Sequence, residues 1–132
     1  MPSVLVIDDE GEVRDSIRQV LGRVGFAVDT ADNGETGVEV FFQRPVDVVI
    51  VDIIMPRSNG IEVIGKIRAS FPGARIIAMS GGGNFGRLGY KPGSITTDAY
   101  LTLAGKSGAD AVMRKPFHRQ ELISLVRSLV KN

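Results

Sequence analysis

The run Val48-Val49-Ile50-Val51 is what most limits the folds open to this chain. Four consecutive β-branched residues fit a pleated strand better than a helix, and with no polar residue among them neither face is left for water. A strand covered on both sides belongs to a parallel sheet inside an α/β protein. The run delivers one carboxylate, Asp52, and then breaks at Met55-Pro56 into a polar turn ahead of Gly60. Asp52 therefore closes a buried strand at its carboxyl edge. In open α/β sheets that edge binds ligands, because the loops there diverge to leave a crevice.

The flanking sequence repeats this plan. Val4-Leu5-Val6-Ile7 is a second apolar run and ends in Asp8-Asp9-Glu10. Phe26-Ala27-Val28 reads as a weaker strand, Ile76-Ile77-Ala78-Met79 as a fourth ending at Ser80, and Ala111-Val112-Met113 as a fifth ending in Arg114-Lys115-Pro116. Between them, helical spacing places Val13, Ile17, Val20, Leu21 and Val24 on one stripe that stops at Gly25. A short helix spans about residues 35–42, before Pro45. Asn59 and Glu62 look like a capping pair for a helix carrying Ile61, Ile64 and Ile67, stopped at Phe71-Pro72-Gly73. Ser94 caps a further helix with Ile95, Ala99, Leu101 and Leu103, and Leu122, Ile123, Val126, Leu129 and Val130 form the stripe of a last one. Strand and helix alternating five times predict an α/β, doubly wound, five-stranded parallel sheet with helices on both faces. With 132 residues there is room for one such domain and no second.

Composition narrows the chemistry. There is no cysteine and one histidine, which excludes disulfides, thiolate metal sites and thiol nucleophiles and argues against zinc. The net charge of +1 is dispersed, so no basic surface for direct nucleic-acid binding is apparent. Met1-Pro2-Ser3 leads into only four apolar residues, too few for a signal peptide or membrane span, and the expected location is cytoplasmic. What remains is the set of residues that close the strands: Asp8 and Asp9, Asp52, Ser80 and Lys115. All fall at one edge. Polar groups converging on one crevice are poorly explained by packing, because each would be desolvated without a core role.

Like charges about 4 Å apart repel by roughly 4 kcal/mol at an effective dielectric near 20, so Asp8, Asp9 and Asp52 call for a cation between them. Hard carboxylate oxygens without histidine or cysteine select Mg²⁺, with Mn²⁺ as the other candidate. A metal held by carboxylates, beside an ammonium and a hydroxyl, can clamp a phosphoryl group, and a carboxylate such as Asp52 can be the nucleophile that receives it.

The acidic pair Asp8-Asp9, the Val51-Asp52-Ile53-Ile54-Met55-Pro56 run with Gly60 after it, Ser80, and Lys115-Pro116-Phe117 resemble the receiver domain of two-component response regulators over the whole chain. The resemblance implies a flavodoxin-like sheet in the order 2-1-3-4-5 and a stand-alone receiver over residues 1–132, similar to chemotaxis or phosphorelay regulators. It implies that Asp52 is the phosphoacceptor, that Asp9 and Asp52 bind the metal with the Ile54 backbone carbonyl, and that Asp8 acts mainly through water. Ser80 and Lys115 would contact the phosphoryl oxygens, with a cis Lys115-Pro116 bond. The implied partners are a histidine kinase or histidine phosphotransfer protein and an unidentified downstream protein. The implied protein is regulatory and catalyses only its own phosphorylation and dephosphorylation.

Two features depart from the family pattern. The stretch between Ser80 and Lys115 is longer than usual by roughly a dozen residues, which predicts an extended connection at about residues 81–93. Position 112, commonly tyrosine or phenylalanine, is valine here. A stiff β-branched side chain cannot swing as an aromatic relay does, so the phosphorylation-dependent change is expected in the glycine-rich connection instead. An aspartyl-phosphate phosphatase or phosphotransferase of the dehalogenase type is the alternative activity, but it would want an acid two residues after Asp52, where Ile54 stands. A receiver fold used as an unphosphorylated docking module is a third possibility, opposed by the retained acids and Lys115. Asp29, Asp32 and His118 read as surface residues, and Phe41, Phe42 and Phe117 as packing.

Overall fold

The computed structural model describes residues 2–55, 58–81, 102 and 104–130. The connection at 81–93, apart from Gly81, and the expected helix from Ser94 through Leu101 lie outside these, while Thr102 and residues 104–106 are helical, where that helix was expected to end. The elements run β1 (Ser3–Ile7), α1 (Gly11–Arg23), β2 (Ala27–Ala31), α2 (Gly34–Gln43), β3 (Val48–Asp52), β4 (Ile54–Met55), β5 (Ser58–Asn59), α3 (Gly60–Ser70), β6 (Arg75–Gly81), β7 (Ala111–Lys115) and a last helix, α4 (Arg119–Val130). The main sheet has the order β2-β1-β3-β6-β7, and every pairing in it is parallel. This is the expected 2-1-3-4-5 order, with β6 and β7 as the fourth and fifth strands.

Alternation along the buried strands divides the core in two. Leu5, Ile7, Val49, Val51, Ile76 and Ala78 point to the face covered by α2 and α3, packing with Phe41, Val63, Ile64 and Ile67. Val4, Val6, Val48, Ile50, Ile77 and Met79 point to the other face and meet Ile17 and Leu21 of α1 and Leu122, Ile123 and Val126 of α4. The stripes read from sequence are thus the faces that the helices bury. Gly25 ends α1 with φ +100°, a conformation open to glycine because it has no Cβ. Asn33 and Asn59 cap α2 and α3, their side chains accepting from the backbone N–H of Thr36 and Ile61.

Three details differ from the sequence reading. β2 begins one residue later and runs to Ala31, because each of its five residues pairs with β1. The turn after Asp52 contains a small antiparallel pair, β4 with β5, which pairs Ile54 with Asn59 and Met55 with Ser58. Asp29 is not merely solvated but pairs with Arg44 at 2.9 Å, an exposed contact that adds little stability.

At the sheet end away from Asp52, Arg68 of α3 ties the chain together. Its guanidinium donates to the carbonyls of Pro72, Ala74 and Gly108 and meets the Asp110 carboxylate at 2.7 Å. Asp110 in turn accepts from the Ile76 backbone N–H at 2.7 Å. Truncating the arginine would leave these acceptors without their charged donor, so Arg68→Ala is expected to cost about 2–3 kcal/mol of stability. Urea unfolding checks this through a lower midpoint at an unchanged slope.

Candidate functional site

Strand register brings the expected residues together. Ile7 pairs with Val51, so Asp8 stands level with Asp52, while Asp52 pairs with Met79 and Gly81 with Lys115. Asp8, Asp52 and Ser80 are fully buried. The two aspartates are held in the same way. One oxygen of each, Oδ1, accepts from the backbone N–H two residues on: Glu10 for Asp8 at 2.8 Å, and Ile54 for Asp52 at 2.9 Å. The other, Oδ2, faces the Lys115 ammonium, at 2.8 Å from Asp8 and 3.2 Å from Asp52.

The backbone around the pocket explains why these positions are fixed. A Cβ on Gly60 would collide with the carbonyl oxygen of Asp52 and the Cα of Ile53, so only glycine lets α3 start against the end of β3. The Ile53 N–H bonds the Met79 carbonyl at 2.9 Å and continues the ladder one step past Asp52. Arg14 of α1 donates to the Asp8 carbonyl at 2.7 Å, which anchors the turn after β1. The Lys115-Pro116 bond is cis, as expected from the resemblance.

One expected residue is not in the cluster and one unassigned residue is. Asp9 is exposed. Glu10 instead brings its carboxylate in, 3.2 Å from Lys115 Nζ, and oxygens of Asp8, Glu10 and Asp52 lie within 4.8 Å of one another. The signal in the sequence was the third acid of the Asp8-Asp9-Glu10 run. Strand alternation cannot rank these acids, because the chain leaves β1 at Ile7 and its next residues turn toward α1.

Among the described residues, the fully buried Asp8 and Asp52 share one ammonium, which crowds negative charge in a desolvated place. Burial raises the Asp52 carboxyl to about 7, the nearby Asp8 charge pushes the same way, and Lys115 and the Ile54 N–H oppose them. Asp8 is raised too, by burial first, against the pull of Lys115. Burial disfavours the charged form of Lys115, but the Asp52 and Asp8 charges outweigh it and hold the ammonium above its ordinary range. Hard oxygens gathered this closely fit a divalent cation such as Mg²⁺. Among the described residues, the buried Ser80 Oγ has no hydrogen-bond partner. That hydroxyl suits an incoming oxygen-rich group.

A sequence model of the response regulator receiver domain matches residues 4–87. The chain belongs to the response regulator receiver family. Its receivers are phosphorylatable switches of two-component systems that bind Mg²⁺ at an acidic pocket and work with histidine kinases and downstream targets. Among similar proteins, the chemotaxis protein CheY of Halobacterium salinarum is 29% identical over 127 residues, covering 96% of this chain and 95% of that protein. The cell cycle transcriptional regulator CtrA of Caulobacter vibrioides is 32% identical, covering 97% of this chain and 50% of that protein. The response regulator MprA of a Mycobacterium species is 28% identical with the same coverages, so the chain spans about half the length of several curated relatives it matches. A response regulator receiver domain protein from Clostridium thermocellum superposes with a TM-score of 0.80 at 28% identity, over 98% of this chain and 94% of that one. Among the described residues, no helix is long and apolar enough to cross a membrane.

Because the folded receiver holds the Asp52 proton more tightly than the unfolded chain does, its stability falls as pH rises from about 4 to about 7. Asp52→Asn removes the Asp52 share of that dependence, leaving the share of the likewise raised Asp8, and removes one buried charge while leaving Lys115 its contacts with Asp8 and Glu10. In metal-free buffer at pH 7 the variant is expected to be more stable than wild type by on the order of 2–4 kcal/mol. Urea unfolding at pH 5 and pH 7 checks both the sign and the slope.

Proposed function

We propose that Asp52 is the phosphoacceptor of a cytoplasmic signalling receiver that takes its phosphoryl group from a phosphohistidine of a kinase or phosphotransfer protein. The observation that carries this reading is the convergence at the sheet edge: buried Asp52 beside Asp8, with Lys115 between them and the Ser80 hydroxyl unpaired. An oxygen of Asp52 attacks phosphorus, the bond from phosphorus to the histidine nitrogen breaks, and an acyl phosphate forms. Lys115 and Ser80 are the groups that hold the phosphoryl oxygens, one by charge and one by its free hydroxyl. Asp8 and Asp52 supply carboxylate oxygens for the divalent ion. Asp9 and the Ile54 carbonyl, on the same edge, are the further oxygen donors the resemblance adds. When bound, the ion neutralises charge on the carboxylates and the phosphoryl oxygens. Residues 1–132 act in this reading as one receiver domain with an extended connection at about 81–93, and phosphorylation changes its affinity for a downstream protein.

Intact mass after incubation with a small phosphodonor and Mg²⁺ tests this directly. Wild type is expected to gain one phosphoryl mass, with no gain for Asp52→Asn or in the presence of chelator. Labelling that survives either change would overturn the assignment.

Ile54 generates a second expectation. It lies partly buried two residues beyond Asp52, where its side chain offers water no hydrogen bond. Hydrolysis of the acyl phosphate needs a water lined up behind phosphorus, so Ile54→Asn is expected to shorten its lifetime severalfold. Decay of the labelled species followed by mass spectrometry checks this, and an unchanged or longer lifetime would count against it.

A further inference from the structure

The resemblance leaves Glu10 without a role, yet the structure gives it one of the three carboxylates around Lys115. The ammonium has three N–H donors and meets Asp8 at 2.8 Å, Asp52 at 3.2 Å and Glu10 at 3.2 Å. The three acids are not equivalent. Asp8 and Asp52 are fully buried, and each spends its other oxygen on a backbone N–H. The Glu10 side chain retains 25% of its exposure, so its charge costs less to keep. Its backbone N–H is bonded to Asp8, which fixes where its side chain starts.

A divalent ion that takes Asp8 and Asp52 must compete with the ammonium for them, and then leaves it beside two further positive charges. Lys115 is only 10% exposed, so retreat into water is hindered. Of the carboxylates that contact it, Glu10 is the one then left to receive it. We propose that Glu10 is a positioning residue for Lys115: it takes over the ammonium when a divalent ion binds Asp8 and Asp52, and thereby sets the affinity of the pocket for that ion. This rests on the metal pocket of the proposed function but not on Asp52 being phosphorylated. It also keeps the lysine at the edge of the pocket, within reach of an arriving phosphoryl oxygen, instead of against the nucleophile.

Calorimetric titration of Mg²⁺ into the unphosphorylated protein at pH 8 tests the proposal with four chains: wild type, Glu10→Gln, Lys115→Met and the double variant. Lys115→Met removes the competitor and is expected to tighten binding. Glu10→Gln is expected to weaken binding about tenfold when Lys115 is present, and distinctly less in the Lys115→Met background, where there is no ammonium to receive. A carboxylate that ligated the metal itself would show the opposite coupling, with an equal or larger loss in the Lys115→Met background, and that result would overturn the proposal. Loss in neither background would overturn it as well. Circular dichroism verifies that each chain is folded, and Lys115→Gln serves for the same comparison should Lys115→Met fail to fold. Wild type that takes up no Mg²⁺ would refute the metal pocket together with this role. Absent phosphoryl labelling with normal Mg²⁺ coupling would refute the phosphoacceptor alone.

Discussion

One ammonium set among three carboxylates at the edge of a parallel sheet is the constraint on which the rest of this structure depends. Asp8 and Asp52 sit on neighbouring strands with no exposure, a placement that would drive either one toward its neutral form if it stood alone. The chain manages them by giving each a backbone N–H from its own turn and sharing one lysine between them. That lysine arrives from β7, the far edge of the sheet, and reaches its partners only because β3, β6 and β7 run parallel in fixed register. The hydrophobic sheet is thus the ruler by which the charges are spaced. A slip of one residue along any of these strands would turn every side chain to the opposite face and dissolve the pocket.

The two ends of the sheet are built for different purposes. At the end away from Asp52, Arg68 finds acceptors for its guanidinium in three carbonyls and Asp110, an arrangement that closes the structure and leaves little unpaired. At the other end, among the described residues, the fully buried Asp8 and Asp52 share one ammonium, and the buried Ser80 hydroxyl has no hydrogen-bond partner. Native proteins rarely leave such groups unless a ligand completes them. This contrast, more than any single residue, marks one end of the sheet as scaffold and the other as site.

Much of this was legible in the sequence, because buried parallel strands leave an unusually plain trace. The runs at Val4, Val48, Ile76 and Ala111 marked strand positions, and their closing residues pointed to Asp8, Asp52, Ser80 and Lys115 without any contact being known. What was not legible depends on turns. Whether Asp9 or Glu10 enters the pocket is decided by the path from β1 into α1, where neither the strand period nor the helix period applies. The β4 and β5 pair is too short, at two residues each, to leave a pattern. Nothing in the sequence singles out Arg68, because its partners at Gly108 and Asp110 lie some forty positions away in the chain. Phe42, read as packing, does pack against the rings of Phe41 and Phe71, but it stays 45% exposed near the end of α2.

The energy held in the pocket bears on how such a chain can switch. To carry a two-state equilibrium from 1:99 to 99:1, a ligand must favour one state by about 5.5 kcal/mol. Burial first, and then the nearby Asp8 charge, raise the Asp52 carboxyl from 3.8 to about 7, so keeping it ionised at neutral pH is unfavourable, and a divalent ion at the pocket would favour the ionised form. The unfavourable charge is thus one place from which part of such coupling energy can come. The change must then leave the pocket through elements that contact it. Among the described strands β7 is at the edge of the sheet, and it carries Lys115 at its end and the exposed Val112 three residues earlier, so a shift of the ammonium acts directly on that strand. With valine in place of an aromatic rotor at that position no ring can swing there, which is why the change is expected in the glycine-rich connection that follows Ser80 at the other side of the same pocket.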